Sequence, residues 1–157
     1  MKIGYYCESP ADRAALVILT EGILGEPPES INMDLEAHSV PGFFSALDGV
    51  FRGVHYNSDA EGLIVVVDSD DTEMHSLAHD TPQGGGERCR LCQARKIIER
   101  ARKQLKPRQG RPELKVAIGL TVPTIEAWYL LGKNPWLGRR PGTPVWRVAG
   151  SLSTGCS

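Results

Sequence analysis

Three aspartates, Asp68, Asp70 and Asp71, crowd into four positions directly after the apolar run LIVVV at residues 63–67. Carboxylates held that close repel one another unless a cation lies between them. Magnesium meets that need with hard oxygen ligands and retained waters, and leaves room for a phosphate oxygen; manganese shares the ligand preference. An ion so held can polarise a phosphoryl group and orient an attacking water. Glu8 follows the first apolar run, KIGYY at residues 2–6. It joins the aspartates if the two runs are parallel strands of one sheet, because ligands bind beyond the carboxyl ends of such strands. Taken alone, an Asp-x-Asp is more commonly a solvated turn or a cap. Glu126 in TIEAWYLL is either a further ligand or a first-turn carboxylate favoured by the helix dipole.

A second constellation follows at once. His75-x3-His79 and then Cys89-x2-Cys92 supply four ligands of the kind and spacing that zinc takes tetrahedrally, in the reverse order of the common finger. The two histidines share a face if residues 74–80 turn helically. They sit in a Gly-rich loop, too polar to fold on its own apolar content, which a structural ion would stabilise. The competing readings are a surface histidine or proton shuttle near the aspartates, and a Cys89/Cys92 redox pair without thioredoxin-like surroundings.

These residues need a scaffold, and the pattern supplies an α/β fold: a mainly parallel sheet with right-handed crossovers, helices on both faces and a zinc-binding loop inserted at 72–93. KIGYY reads as a strand, and ADRAALVILTEGIL as a largely buried helix. INMDLEA is a possible edge strand, and GFFSALDGVFRGV, 42–54, a helix with Phe43, Phe44, Leu47, Val50, Phe51 and Val54 on one face. LIVVV is continuously apolar and β-branched, as a central strand covered on both faces should be, and KVAIGL, 115–120, repeats this more weakly. A basic helix is expected from about Ala94 to Lys106, and another at 121–131 with Pro123 in its first turn. The α/β domain is thus residues 1–131; residues 132–157 form an irregular Gly/Pro-rich tail that Trp136 and Trp146 would anchor.

The net charge of −1 conceals a division: residues 1–87 hold three basic and sixteen acidic side chains, residues 88–157 fifteen basic and three acidic. Either the halves neutralise each other across the fold, or an acidic metal pocket adjoins a basic surface for a polyanion. On the second reading Arg88, Arg90 and Arg95 stand near the pocket, and with Arg102 and Lys103 they bind the phosphate backbone of DNA or RNA without sequence preference. On the first, Arg95 to Lys106 is simply the wet face of an amphipathic helix. The four cysteines are too few and too uneven for a secreted disulfide framework. With no signal-like N-terminus and no apolar run of about 20 residues, the expectation is a cytoplasmic protein without a membrane span.

Glu8 in YYCESPAD, ahead of a helix, with Asp68 and Asp70 in IVVVDSDD, resembles the Toprim domain of type IA topoisomerases, bacterial primases and nucleases of the overcoming-lysogenization-defect and small-ribonuclease kinds. TIEAWYLL is similar to the Glu-x-Trp segment of small bacterial Toprim-like proteins of the RloB type, some of them associated with phage defence. The resemblance covers residues 2 to about 131. It implies a Toprim-like, Rossmann-like fold and magnesium-dependent phosphodiester chemistry, with Glu8 as general acid or base or as a ligand, and Asp68 and Asp70 holding the ion. Topoisomerases need a Tyr-bearing domain and primases need companion modules, neither of which is visible here. What survives is a standalone metal nuclease. The alternative is a catalytically silent subunit that binds nucleic acid or a partner protein of a multi-subunit system. Asp68-x-Asp70-x-Thr72 also matches the motif of haloacid-dehalogenase-like phosphatases, in which the first Asp is the nucleophile. That family places it on its first strand, whereas here a strand and two helices precede it.

Overall fold

The computed structural model describes residues 1–31, 40–70, 72–81 and 86–122. In chain order the described elements are β1 (Lys2–Tyr6), α1 (Pro10–Leu24), β2 (Glu29–Ser30), α2 (Val40–Asn57), β3 (Gly62–Asp68), α3 (Arg90–Arg102) and β4 (Lys115–Thr121). A short 3₁₀ turn, Leu77–Asp80, lies between β3 and α3. The four strands form one parallel sheet in the order β2-β1-β3-β4. Its register runs from Ile3 opposite Gly62 to Tyr6 opposite Val65, and from Gly62 opposite Lys115 to Asp68 opposite Thr121.

The alternation along β3 divides the core. Leu63, Val65 and Val67 pack with Tyr6, Phe43, Leu47, Phe51 and Val54 and with Ala94, Ile98 and Ala101, which puts α2 and α3 on one face. Val66 packs with Ile3, Tyr5, Ala15 and Leu16, which puts α1 on the other. Both faces of β3 are therefore apolar, which accounts for its unbroken run. Each such fully buried side chain contributes about 1.5–3 kcal/mol. From β1 the chain steps to β2 on one side, then returns past β1 to β3 and β4, and the helices change face as the direction reverses. A constant crossover hand requires that change. The reversal makes the C-terminal ends of β1 and β3 the topological switch point.

Local sequence sets the helix limits. Ser9 caps α1: its Oγ accepts from the Asp12 N–H at 3.2 Å, while its own N–H donates to the Asp12 carboxylate at 2.9 Å. Pro10 takes the first helical position, where no donor is needed. Gly25 ends the helix at φ 76°, its N–H donating to the Glu21 carbonyl at 2.8 Å.

Several expectations are corrected. α1 is not largely buried: Ile18 and Ile23 are 62% and 71% exposed, because its consecutive apolar residues wind round the helix and, of its apolar side chains, Ala15 and Leu16 are buried and Val17 partly so. α3 begins at Arg90, not Ala94, with Cys89 as its cap, and ends at Arg102, short of Lys106, ahead of Pro107. The turn expected over residues 74–80 is helical only from Leu77 to Asp80, so His75 precedes it. The possible edge strand INMDLEA lies, beyond Ile31, outside the described residues, as do Asp71, the 123–131 segment with Glu126, and the 132–157 tail. No described helix is long and apolar enough to cross a membrane.

Candidate functional site

The ends of β1 and β3 bring Glu8 and Asp68 together from sixty residues apart: the Asp68 N–H donates to Glu8 Oε1 at 3.3 Å. The capped first turn of α1 holds the chain immediately after Glu8. Asp70 stands two residues on, at φ 43°, a left-handed conformation that Asp tolerates better than most side chains. Arg90, itself buried, enters from the start of α3. Its Nη1 donates to the Asp68 carbonyl at 2.6 Å and to Asp70 Oδ2 at 2.7 Å, and lies 3.9 Å from Glu8 Oε1. The Thr121 hydroxyl, at the matching end of β4, donates to Asp68 Oδ1. Burial, and then the Asp68 and Asp70 charges, push the Glu8 carboxyl above the ordinary carboxylate range, against the opposing pull of the Asp68 N–H and Arg90. Three carboxylates, one guanidinium and one hydroxyl thus share the switch point.

The second group is a candidate metal centre. The ligand atoms of His75, His79, Cys89 and Cys92 all lie within 4.8 Å of one another, the one such group of three or more found among the described residues. His75 Nδ1 is 3.8 Å from Cys89 Sγ and 3.5 Å from Cys92 Sγ, and His79 Nδ1 is 3.8 Å from Cys92 Sγ. With zinc–sulfur and zinc–nitrogen bonds of about 2.3 and 2.05 Å, the S···N edge of a tetrahedron is about 3.6 Å, so the group fits an ion of that size. Each imidazole turns its other nitrogen to a carboxylate: His75 Nε2 to Asp80 Oδ1 at 3.5 Å, and His79 Nε2 to Glu73 Oε1 at 3.2 Å. This carboxylate support orients a ligating imidazole and strengthens it as a donor. Arg95 in turn donates to Asp80 Oδ1 at 2.6 Å. Burial, and then the neighbouring Cys89, push the Cys92 thiol up to about 11, so a bound metal must displace its proton.

Gly86 closes this centre. It sits at φ +64°, and a Cβ there would lie 2.9 Å from Cys92 Sγ and 3.1 Å from His79 Nδ1. Its carbonyl accepts the Cys89 N–H at 3.0 Å, making the turn that delivers both cysteines.

The basic residues separate. Arg90 faces inward to the carboxylates, Arg95 pairs with Asp80, and Arg102 Nε lies 3.4 Å from Glu113 Oε1, whereas Arg88 and Lys103 are exposed. Sequence reasoning missed Thr121, Gly86 and the supporting Glu73 and Asp80. Thr121 was findable, since it ends β4 as Asp68 ends β3. Gly86 was not, because nothing in the run Gly84–Gly85–Gly86 marks which glycine needs a positive φ. Comparison with protein-family models, with curated proteins and with solved structures returns no match to this chain.

Proposed function

We propose that this chain is a Toprim-like, nuclease-type enzyme that cleaves phosphodiester bonds of a nucleic acid with a divalent cation, magnesium or manganese, at the Glu8–Asp68–Asp70 edge. The observation that carries this reading is the pairing of Glu8 with Asp68 across adjacent parallel strands, at 3.3 Å and at the switch point of the sheet. Asp68 and Asp70 offer the hard oxygen donors such an ion takes. When bound, the ion supplies polarisation of a phosphoryl oxygen and activation of water. Glu8, its carboxyl raised by burial, holds and returns a proton nearer neutrality than an ordinary carboxylate. Arg90 neutralises the cluster and offers a fork suited to a phosphate. The exposed Lys96 and Arg100 on α3 and Lys103 just past its end add sequence-independent attraction for the backbone.

His75, His79, Cys89 and Cys92 hold a structural zinc in this reading, supported by their spacing and by the carboxylate behind each imidazole. One observation favours a second, catalytically silent binding role for the acidic edge: the Arg90 guanidinium already satisfies Asp70, so the carboxylates do not gather into a ligand set of their own.

Magnesium-dependent cleavage of single- and double-stranded DNA and RNA separates the two. The enzyme reading expects cleavage by the parent and losses of about 100-fold or more in Glu8→Gln, Asp68→Asn and Asp70→Asn. Equal activity in all four proteins sinks it. Elemental analysis of the purified protein is expected to find about one zinc per chain, and none in Cys89→Ser; a parent without zinc defeats that assignment.

A further inference from the structure

The acidic edge and the His/Cys group are joined by a single peptide bond. Cys89 is wholly buried in the second, and Arg90, the next residue, is buried in the first. Between them the chain makes a closed circuit: Asp70 leads along the loop to His75, His75 faces Cys89 at 3.8 Å, Cys89 leads to Arg90, and Arg90 returns to Asp70 at 2.7 Å.

We propose that Arg90 is a positioning residue that couples the two sites, so that metal ligation at His75 and Cys89 and the Arg90–Asp70 pair favour each other. The inference rests on the zinc reading above and not on catalysis. Its physical basis is loop closure. Ligation alone must close the 14-residue separation between His75 and Cys89. With Arg90 already joined to Asp70, the same two ligands are separated by only about six residues along the shorter path, and the saved closure entropy corresponds to roughly threefold in affinity. Coupling of this kind is reciprocal. Ligation fixes Cys89, which caps α3 and aims Arg90. Arg90 then secures Asp70 in a left-handed conformation that is costly for a residue with a Cβ. The Ser69 N–H to the Thr121 carbonyl, and the Thr72 N–H to the Ser69 carbonyl, both at 2.9 Å, extend that order into the loop after β3.

The test reads metal affinity, not activity. Zinc affinity is measured by competition with a chromophoric chelator for the parent, Arg90→Gln, Asp70→Asn and the double variant. Coupling expects each single variant to bind zinc roughly threefold more weakly, and the double variant no more weakly than either, since one contact is lost in all three. A purely electrostatic influence on the thiolates predicts opposite changes in the two singles, because the substitutions remove opposite charges; that result, or unchanged affinity, overturns the proposal. Hydrogen exchange on the unmutated protein is the second measurement. Zinc removal should speed exchange of the Thr72 N–H while the amides of β1 stay protected, and unchanged Thr72 exchange overturns the coupling. A parent that binds no zinc overturns both this inference and the zinc assignment. A parent with one tight zinc and uncoupled variants overturns this inference alone.

Discussion

Glu8 is held where burial and two neighbouring carboxylates oppose its ionisation. A carboxyl whose folded value is raised binds its proton more readily in the folded chain than in the unfolded one. Stability then falls as the pH rises through the window between the ordinary and the raised value, and the penalty is complete above it. Glu8→Gln keeps an acceptor for the Asp68 N–H and removes the partly buried charge. The variant should melt above the parent at neutral pH, with the gap closing as the pH falls into the ordinary carboxylate range; a pH-independent gap in melting temperature refutes this. At Gly86 the argument is steric. Gly86→Ala carries about 1–2 kcal/mol of backbone cost at φ +64°, and its methyl intrudes on Cys92 and His79, so zinc affinity should drop roughly tenfold or more in a chelator competition. Arg90 shows why a residue's position matters more than its type: as a basic side chain it reads as solvated surface, yet it lies one turn before Ala94 and two before Ile98, on the buried side of α3, and turns inward.

At the scale of elements, what was legible depended on how the pattern encodes each boundary. β1 and β3 could be read directly, since a strand covered on both faces has no alternation to confuse. The start of α1 was readable from Ser9 and Pro10, and the reciprocal Ser9–Asp12 bonds account for that start. Ser9→Ala should cost about 1 kcal/mol in a urea melt and loosen the chain that carries Glu8. The start of α3 was misread because its cap is a cysteine, not one of the usual capping side chains, so the periodicity seemed to begin a turn late. The burial of α1 was misjudged because composition reports how apolar a helix is but not how much sheet lies beneath it.

For the molecule as a whole, the division of charge proves to be two things at once. Arg90 with Asp70 and Arg95 with Asp80 cross the divide and neutralise it internally, while Lys96, Arg100 and Lys103 remain exposed as a basic strip. The meeting of Glu8 and Asp68 was legible because parallel topology sends strand ends to one edge. The coupling through Arg90 was not, because it depends on how the His/Cys loop folds back. The sheet order has a consequence for the making of the protein. β1 is an inner strand whose main partner, β3, begins 59 positions later, opposite Ile3. At about 5–20 residues per second, a nascent chain carries Ile3–Tyr6 for roughly 3–12 s with, among the described residues, only the two-residue β2 to pair with it. During synthesis that greasy segment stays without its main cover until the valine-rich strand emerges and takes its place beside it.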